Sequence, residues 1–266
     1  MEPGFPALEI VEDEVIMMDL AQPVYRYTDC MYQIAEHINQ EVIAPLEIKD
    51  DIFIDFLADN HDRGGVKSRI AKPYKRTLLH SFITNLTNAA HEEVFEVAEV
   101  ECKNLRALVT QAGLLAPSWI NEDDIHDHID DLDKLCRKAV DLITPTVFHL
   151  LFSDRNLLFR FQQRIAVHSS AHQENAPGST GRIARCRVPG WLRKAVFYRD
   201  QGRCQLCFSD LTGLISPAVN VHLDHMVPLA SGGSNDPTNF QLACKKCNTS
   251  KGSKLKAEPA RFMPYW

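Results

Sequence analysis

Two short cysteine pairs, Cys204-x-x-Cys207 and Cys244-x-x-Cys247, constrain this chain more than any other feature. Thirty-six residues separate the second cysteine from the third, so joining the pairs folds the intervening segment back on itself. Four thiolates suit tetrahedral Zn²⁺ at about 2.3 Å per sulfur and leave no coordination position open, so the zinc they hold is structural. The first twenty residues contain no Lys or Arg and carry scattered Glu and Asp. A secretory leader would begin basic and then turn apolar. No apolar run is long enough to span a bilayer, and a membrane is not an expected partner. A cytoplasmic setting is therefore expected, where thiols stay reduced and cysteine pairs bind metal. Cys30, Cys102 and Cys136, and also Cys186, read as unligated residues.

The 266 residues can make one large domain or two ordinary ones, and 45% hydrophobic with 24% charged side chains is a globular, not a disordered, composition. Net charge is −6, but it is divided unevenly. From Gly181 to Trp266 thirteen Lys/Arg stand against five Asp/Glu, a charge of +8, which leaves −14 on residues 1–180. A polyanion is attracted to the second segment and repelled by the first. The sign changes within His168–Gly181, a polar stretch of small residues with Pro177 and two glycines, which reads as a linker. The expected organisation is an acidic helical domain over 1–167, a linker over 168–181 and a basic module over 182–266.

The fold class is expected to be mostly α. Met31, Ile34, Ala35, Ile38 and Val42 recur at helical steps after Pro23. Leu79, Phe82, Leu86, Ala90, Val94 and Val97 do so between Arg76 and Gln111, with Gly113 as the stop. A third helix should begin near Asn121 and run Ile125, Ile129, Leu132, Cys136, Val140 before Pro145 kinks or interrupts it. The acidic run Glu122–Asp131, although it contains His126 and His128, reads as a solvated helix face. Downstream the order changes to a short helix near Trp191–Arg199, a strand over Val219–His225, a Gly-rich turn, a strand from Asn239 and a helix from Lys245.

That second module carries the chemistry. Phosphodiester hydrolysis needs an activated water and a divalent cation that offsets charge at the phosphoryl group. His225 can accept the water's proton near neutral pH, and the adjacent Asp224 offers a hard oxygen to Mg²⁺ or a similar ion. Alone, an Asp-His dipeptide is better read as a solvated strand end. Asn239 can hold the loop or orient the imidazole. Asn248, directly after Cys247, can complete the coordination begun by Asp224. Lys251, about one turn later, would face the same side and meet a phosphate. His222 shares the strand face of Asp224 and is a secondary candidate for the phosphate or the metal, packing being the equal alternative.

The span Cys204-Gln-Leu-Cys207 … Val221-His-Leu-Asp-His-Met-Val-Pro228 … Gly232-Gly233 … Asn239-Phe-Gln-Leu-Ala-Cys-Lys-Lys-Cys-Asn-Thr-Ser-Lys251 resembles the HNH endonuclease family with its ββα-metal fold, over about a quarter of the chain. The resemblance implies His225 as general base and Asn239 as the residue that orients it. It further implies Asp224 and Asn248 as ligands of a catalytic divalent metal, and the four cysteines as the zinc site of the cysteine-bearing subgroup. It implies nucleic acid as partner, DNA first. Single HNH proteins with an added domain often serve bacterial or phage restriction and defence, which sets that expectation here. Arg203, Lys245, Lys246 and Lys251, with Arg185 among the flanking cations, can follow a phosphate backbone, although any one of them is ordinarily a solvated charge. The competing reading is a zinc-stapled nucleic-acid-binding or interaction module that does not cut. The helical domain is expected to target, restrain or pair the nuclease, with a protein partner or self-association as its means.

Overall fold

The computed structural model describes residues 27–44, 53, 56, 65–96, 102–121, 124–173, 183–214 and 221–255. Six helices make up the described part of the first two-thirds: α1 (Asp29–Ile43), α2 (Gly65–Ala71), α3 (Leu78–Glu96), α4 (Cys102–Gln111), α5 (Ile129–Phe152) and α6 (Arg155–Gln173). Then come α7 (Gly190–Arg199), β1 (Val221–His225), β2 (Phe240–Cys244) and α8 (Lys245–Lys251). Helix α5 is the spine, packed by α3 on one side and α1 on another. Pro23, Val97 and Val219 lie outside the described residues.

Local chemistry accounts for the helix limits. On α1, Met31, Ala35, Ile38 and Val42 are buried at three- and four-residue steps. Its last carbonyls are taken by the buried Arg164, whose Nε donates to Val42 O at 3.0 Å and Nη2 to Ala44 O at 2.6 Å, a cation at the negative end of a helix. Helix α3 starts with a reciprocal cap: Thr77 N donates to His80 Nδ1 at 3.1 Å while His80 N donates to Thr77 Oγ1 at 3.4 Å. Helix α4 stops at Gly113, which has φ +80, and Leu114 N closes back onto Val109 O at 3.0 Å.

Three expectations need correction. Of the two effects expected of Pro145, interruption does not occur: α5 runs through it, and Ile143, Thr144, Thr146 and Val147 on either side are all buried and hold the helix by packing. Ile129 is 45% exposed, whereas Ile125 is buried. A 3-10 turn at Ile125–His128 precedes α5, so a step of four across it does not return to the same face. Finally, 168–173, expected to begin the linker, continue α6, since each residue added to an existing helix gains a hydrogen bond. The rest of that linker lies outside the described residues.

Strands β1 and β2 form an antiparallel hairpin with Asp224 opposite Gln241 and His225 opposite Phe240. The connecting loop is buried from Gly233 onward and enters the helical part. Asp236 Oδ2 accepts from Leu78 N at 2.8 Å, capping α3 from 158 residues away. Gln162 of α6 donates to Thr238 Oγ1 and accepts from Ser234 Oγ, both at 2.7 Å. Met226 and Val227 belong to the same apolar cluster as the helical core. A separate, smaller cluster of Leu192, Val196, Leu211, Phe240 and Leu242 lies under the cysteines.

Candidate metal centres and active site

All four cysteine sulfurs, of Cys204, Cys207, Cys244 and Cys247, lie within 4.8 Å of one another. Among the described residues they are the cluster of three or more His, Cys, Asp or Glu side chains able to hold a metal ion. The knuckle that presents the first pair bends sharply. Phe208, directly after Cys207, has φ +60, and Cys204 O accepts from Phe208 N at 2.7 Å. Gln205 N donates to Leu242 O at 2.9 Å, which ties the knuckle to β2. Cys244 caps α8 through its sulfur, which accepts from Cys247 N at 3.4 Å. Burial raises the pKa of Cys204 and Cys247, and neighbouring sulfurs push in the same direction. Burial acts upward on Cys207 as well, but hydrogen bonds from Ser209 and the neighbouring thiols bring it to about 7. Crowded thiolates of this kind are what a bound dication stabilises, and the donor set fits Zn²⁺.

Helix α8 packs against β1 beside the cysteine cluster and brings up the second group of residues. Asn248 Nδ2 lies 3.1 Å from His222 Nδ1. Lys251, one turn further on, reaches Asp224 Oδ1 at 3.2 Å, Oδ2 at 3.0 Å and His225 O at 2.6 Å. One short helix thus contacts His222, Asp224 and His225 of β1. Residues 204–254 match the family model for the HNH endonuclease. Neither the curated proteins nor the solved structures compared with this chain contain a match.

Within the HNH domain, β1 sends its functional side chains in different directions, as adjacent strand residues must. The imidazole of His225 is 6% exposed, packs on the Phe240 ring at 4.4 Å between centroids, and places Nε2 3.1 Å from Asn235 Oδ1. The Asn235 amide is unambiguous. Its Nδ2 donates to Ala71 O at 2.9 Å and Ala184 O at 2.8 Å, and carbonyls can only accept, so Oδ1 faces the ring. Nε2 therefore carries the proton and Nδ1 the lone pair. Burial lowers the His225 pKa to about 4; the bond to Asn235 and the charge of Asp224 oppose this, while Arg185 and Lys251 reinforce it. At neutral pH the ring is uncharged and able to accept a proton.

Asp224 is 7% exposed and accepts from Gln241 Nε2 at 2.8 Å in addition to Lys251. Each carboxylate oxygen has two lone pairs, so acceptor capacity remains for a hard cation. The carboxylate and the amide oxygen of the half-buried Asn248 are donors of the kind that a hard divalent ion takes.

The role expected of Lys251 differs from what the structure shows, and of the two roles expected of Asn239 the structure fits the first. Lys251 is 1% exposed, so it is an internal partner of Asp224 and does not face a phosphate. Asn239 does not touch the imidazole: Oδ1 accepts from Val227 N, and Nδ2 donates to Val227 O and Ser234 O, all within 2.9 Å, so it holds the loop. Arg203 is half-buried and donates to Phe208 O inside the knuckle, while Lys245 and Lys246 are exposed on the first turn of α8. Asn235 and Gln241 were missed by sequence reasoning. The hairpin register pairs Gln241 with Asp224 and could have exposed its role; Asn235 sits in a run of turn-forming residues that carries no such signal.

Proposed function

We propose that this chain is a metal-dependent endonuclease that hydrolyses phosphodiester bonds in DNA. The family match to 204–254 supports nuclease activity in general. The observation that supports the finer reading is that one short helix beside the cysteine cluster brings Asn248 to His222 and Lys251 to Asp224 on β1. His225 Nδ1 takes the proton of the attacking water, and the neutral form of the ring is the one present at pH 7. Asp224 and Asn248 would hold the catalytic cation, with Lys251 and Gln241 keeping the carboxylate in place. Mg²⁺ or another divalent ion supplies charge neutralisation at the phosphoryl and leaving oxygens. Exposed Arg185, close enough to His225 to affect its protonation, and exposed Lys245 and Lys246 contact the phosphate backbone. The cellular setting we propose is cytoplasmic restriction or defence.

The test is cleavage of supercoiled plasmid by the zinc-loaded full chain with Mg²⁺, beside a structured RNA of similar length. His225→Ala should lower the rate about 10²–10⁴-fold, the usual worth of a general base. Plasmid binding without Mg²⁺-dependent cutting would favour the non-cutting module, and preferential RNA cleavage would overturn the DNA assignment.

A further inference from the structure

We infer that the helical region is the positioning half of the HNH active site, acting through Asn235 on the general base and through Arg155 and Gln241 on the carboxylate. The inference rests on the nuclease reading and assigns the helical region a role that the family match does not reach.

The first connection begins at the end of α2. A helix end leaves carbonyls without intrahelical donors. Two of them, on Ile70 and Ala71, are taken by Asn235, through its backbone N at 2.7 Å and its Nδ2 at 2.9 Å. Those bonds, with the one to Ala184 O, decide which way the amide points, and so which nitrogen of His225 carries the proton. An amide released from α2 can turn over and present Nδ2 to the ring. The proton would then move to Nδ1, where a base is needed.

The second connection begins at the start of α6. Arg155 donates through Nε at 3.0 Å and Nη2 at 2.6 Å to the same atom, Gln241 Oε1. Two donors on Oε1 leave Nε2 facing Asp224 Oδ2, 2.8 Å away. Without the guanidinium the amide can rotate and place an oxygen against the carboxylate, which repels it. Both connections use the same device: a helix-borne group fixes the orientation of a side-chain amide, and the amide fixes a reacting group. They originate in different helices and end on different residues of β1.

The test uses the full, zinc-loaded chain, with zinc content and melting temperature recorded for every variant. The ring nitrogens of ¹⁵N-histidine-labelled protein report the His225 tautomer whether or not any nucleic acid is cut. Wild type should show the Nε2–H form, and Asn235→Ala should shift the ring toward Nδ1–H. In plasmid cleavage, Asn235→Ala and Arg155→Ala should each lower kcat about 10–100-fold with KM nearly unchanged, the pattern of lost orientation without lost substrate binding. Arg155→Lys, which keeps a donor for Gln241 Oε1, should recover part of that loss. An Nδ1–H ring in wild type, an unshifted tautomer in Asn235→Ala, or an undiminished kcat in Arg155→Ala overturns the inference. Should Asn235→Ala lose its zinc or its melting transition, the wild-type tautomer and the Arg155 pair decide it. A wild type that cuts nothing but shows the Nε2–H ring and its shift defeats the nuclease reading alone.

Discussion

Replacing Lys251 by Met removes an ammonium and keeps most of its stem. The ion pair with Asp224 has side chains only 1% and 7% exposed, so water cannot compensate for the lost charge. Two consequences follow together: Asp224 keeps only the Gln241 amide as a described donor, and His225 O loses its 2.6 Å bond. Breaking one side of a buried pair costs about 3–5 kcal/mol. At about 2–4 °C per kcal/mol for a chain of this size, the melting temperature should fall by roughly 10 °C. Lys134→Met is the control, because its ion pair with Asp131 is largely exposed and contributes only about 0–1 kcal/mol. Mg²⁺ provides the check on mechanism. A cation that binds Asp224 restores the missing positive charge, so millimolar Mg²⁺ should raise the melting temperature of Lys251→Met more than that of wild type. In a double-mutant cycle, Asp224→Asn with Lys251→Met should cost less than the sum of the single changes, by about 1–3 kcal/mol. A loss below about 1 kcal/mol for Lys251→Met, or a cycle that adds without coupling, would refute the placement of the ammonium against Asp224.

The purified chain should contain one zinc per molecule by elemental analysis. Cys207→Ser or a strong chelator should remove it and melt the 204–254 segment, while the far-ultraviolet helix signal of the first region largely persists. Gly233→Ala should lower the melting temperature sharply, because an added Cβ would sit 2.0 Å from Val227 O, a backbone atom that cannot swing aside; an unchanged transition would contradict the loop geometry. Stability should also fall as the solution is acidified, in part through His80. Burial, with Arg76 next, lowers its pKa from about 6.5 to about 3. The unfolded chain takes up this proton below about pH 6.5 and the folded chain does not until about pH 3. Between pH 7 and pH 5 His80 should therefore remove about 2 kcal/mol of stability, and urea titrations of His80→Gln should show a shallower pH slope than wild type by that amount.

How far the fold could be read from the chain depended on the kind of signal. Helices α1 and α3 were legible because Met31, Ala35, Ile38 and Val42, then Leu79, Phe82 and Leu86, repeat at the period of a helix. Gly113 was legible as a stop because its positive φ is a property of the residue itself. Ile129 and Pro145 misled because both were judged by local rules that tertiary context overrode: a 3-10 turn shifted the phase ahead of one, and packing on both sides preserved the helix around the other.

The site divides along the same line. Spacing alone determined that four sulfurs could meet, and the order Asp224, His225, Asn239, Asn248 determined that a hairpin and a helix would surround the chemistry, since each of these is a relation between near neighbours or matched pairs. Only the tertiary structure decided that Lys251 turns inward to Asp224, that Asn239 binds the loop and not the ring, and that Asn235, clasped by the end of α2, faces His225. Those choices depend on hydrogen-bond geometry between segments as much as 164 residues apart, and no periodicity along a chain records which of two amide atoms will point at a ring.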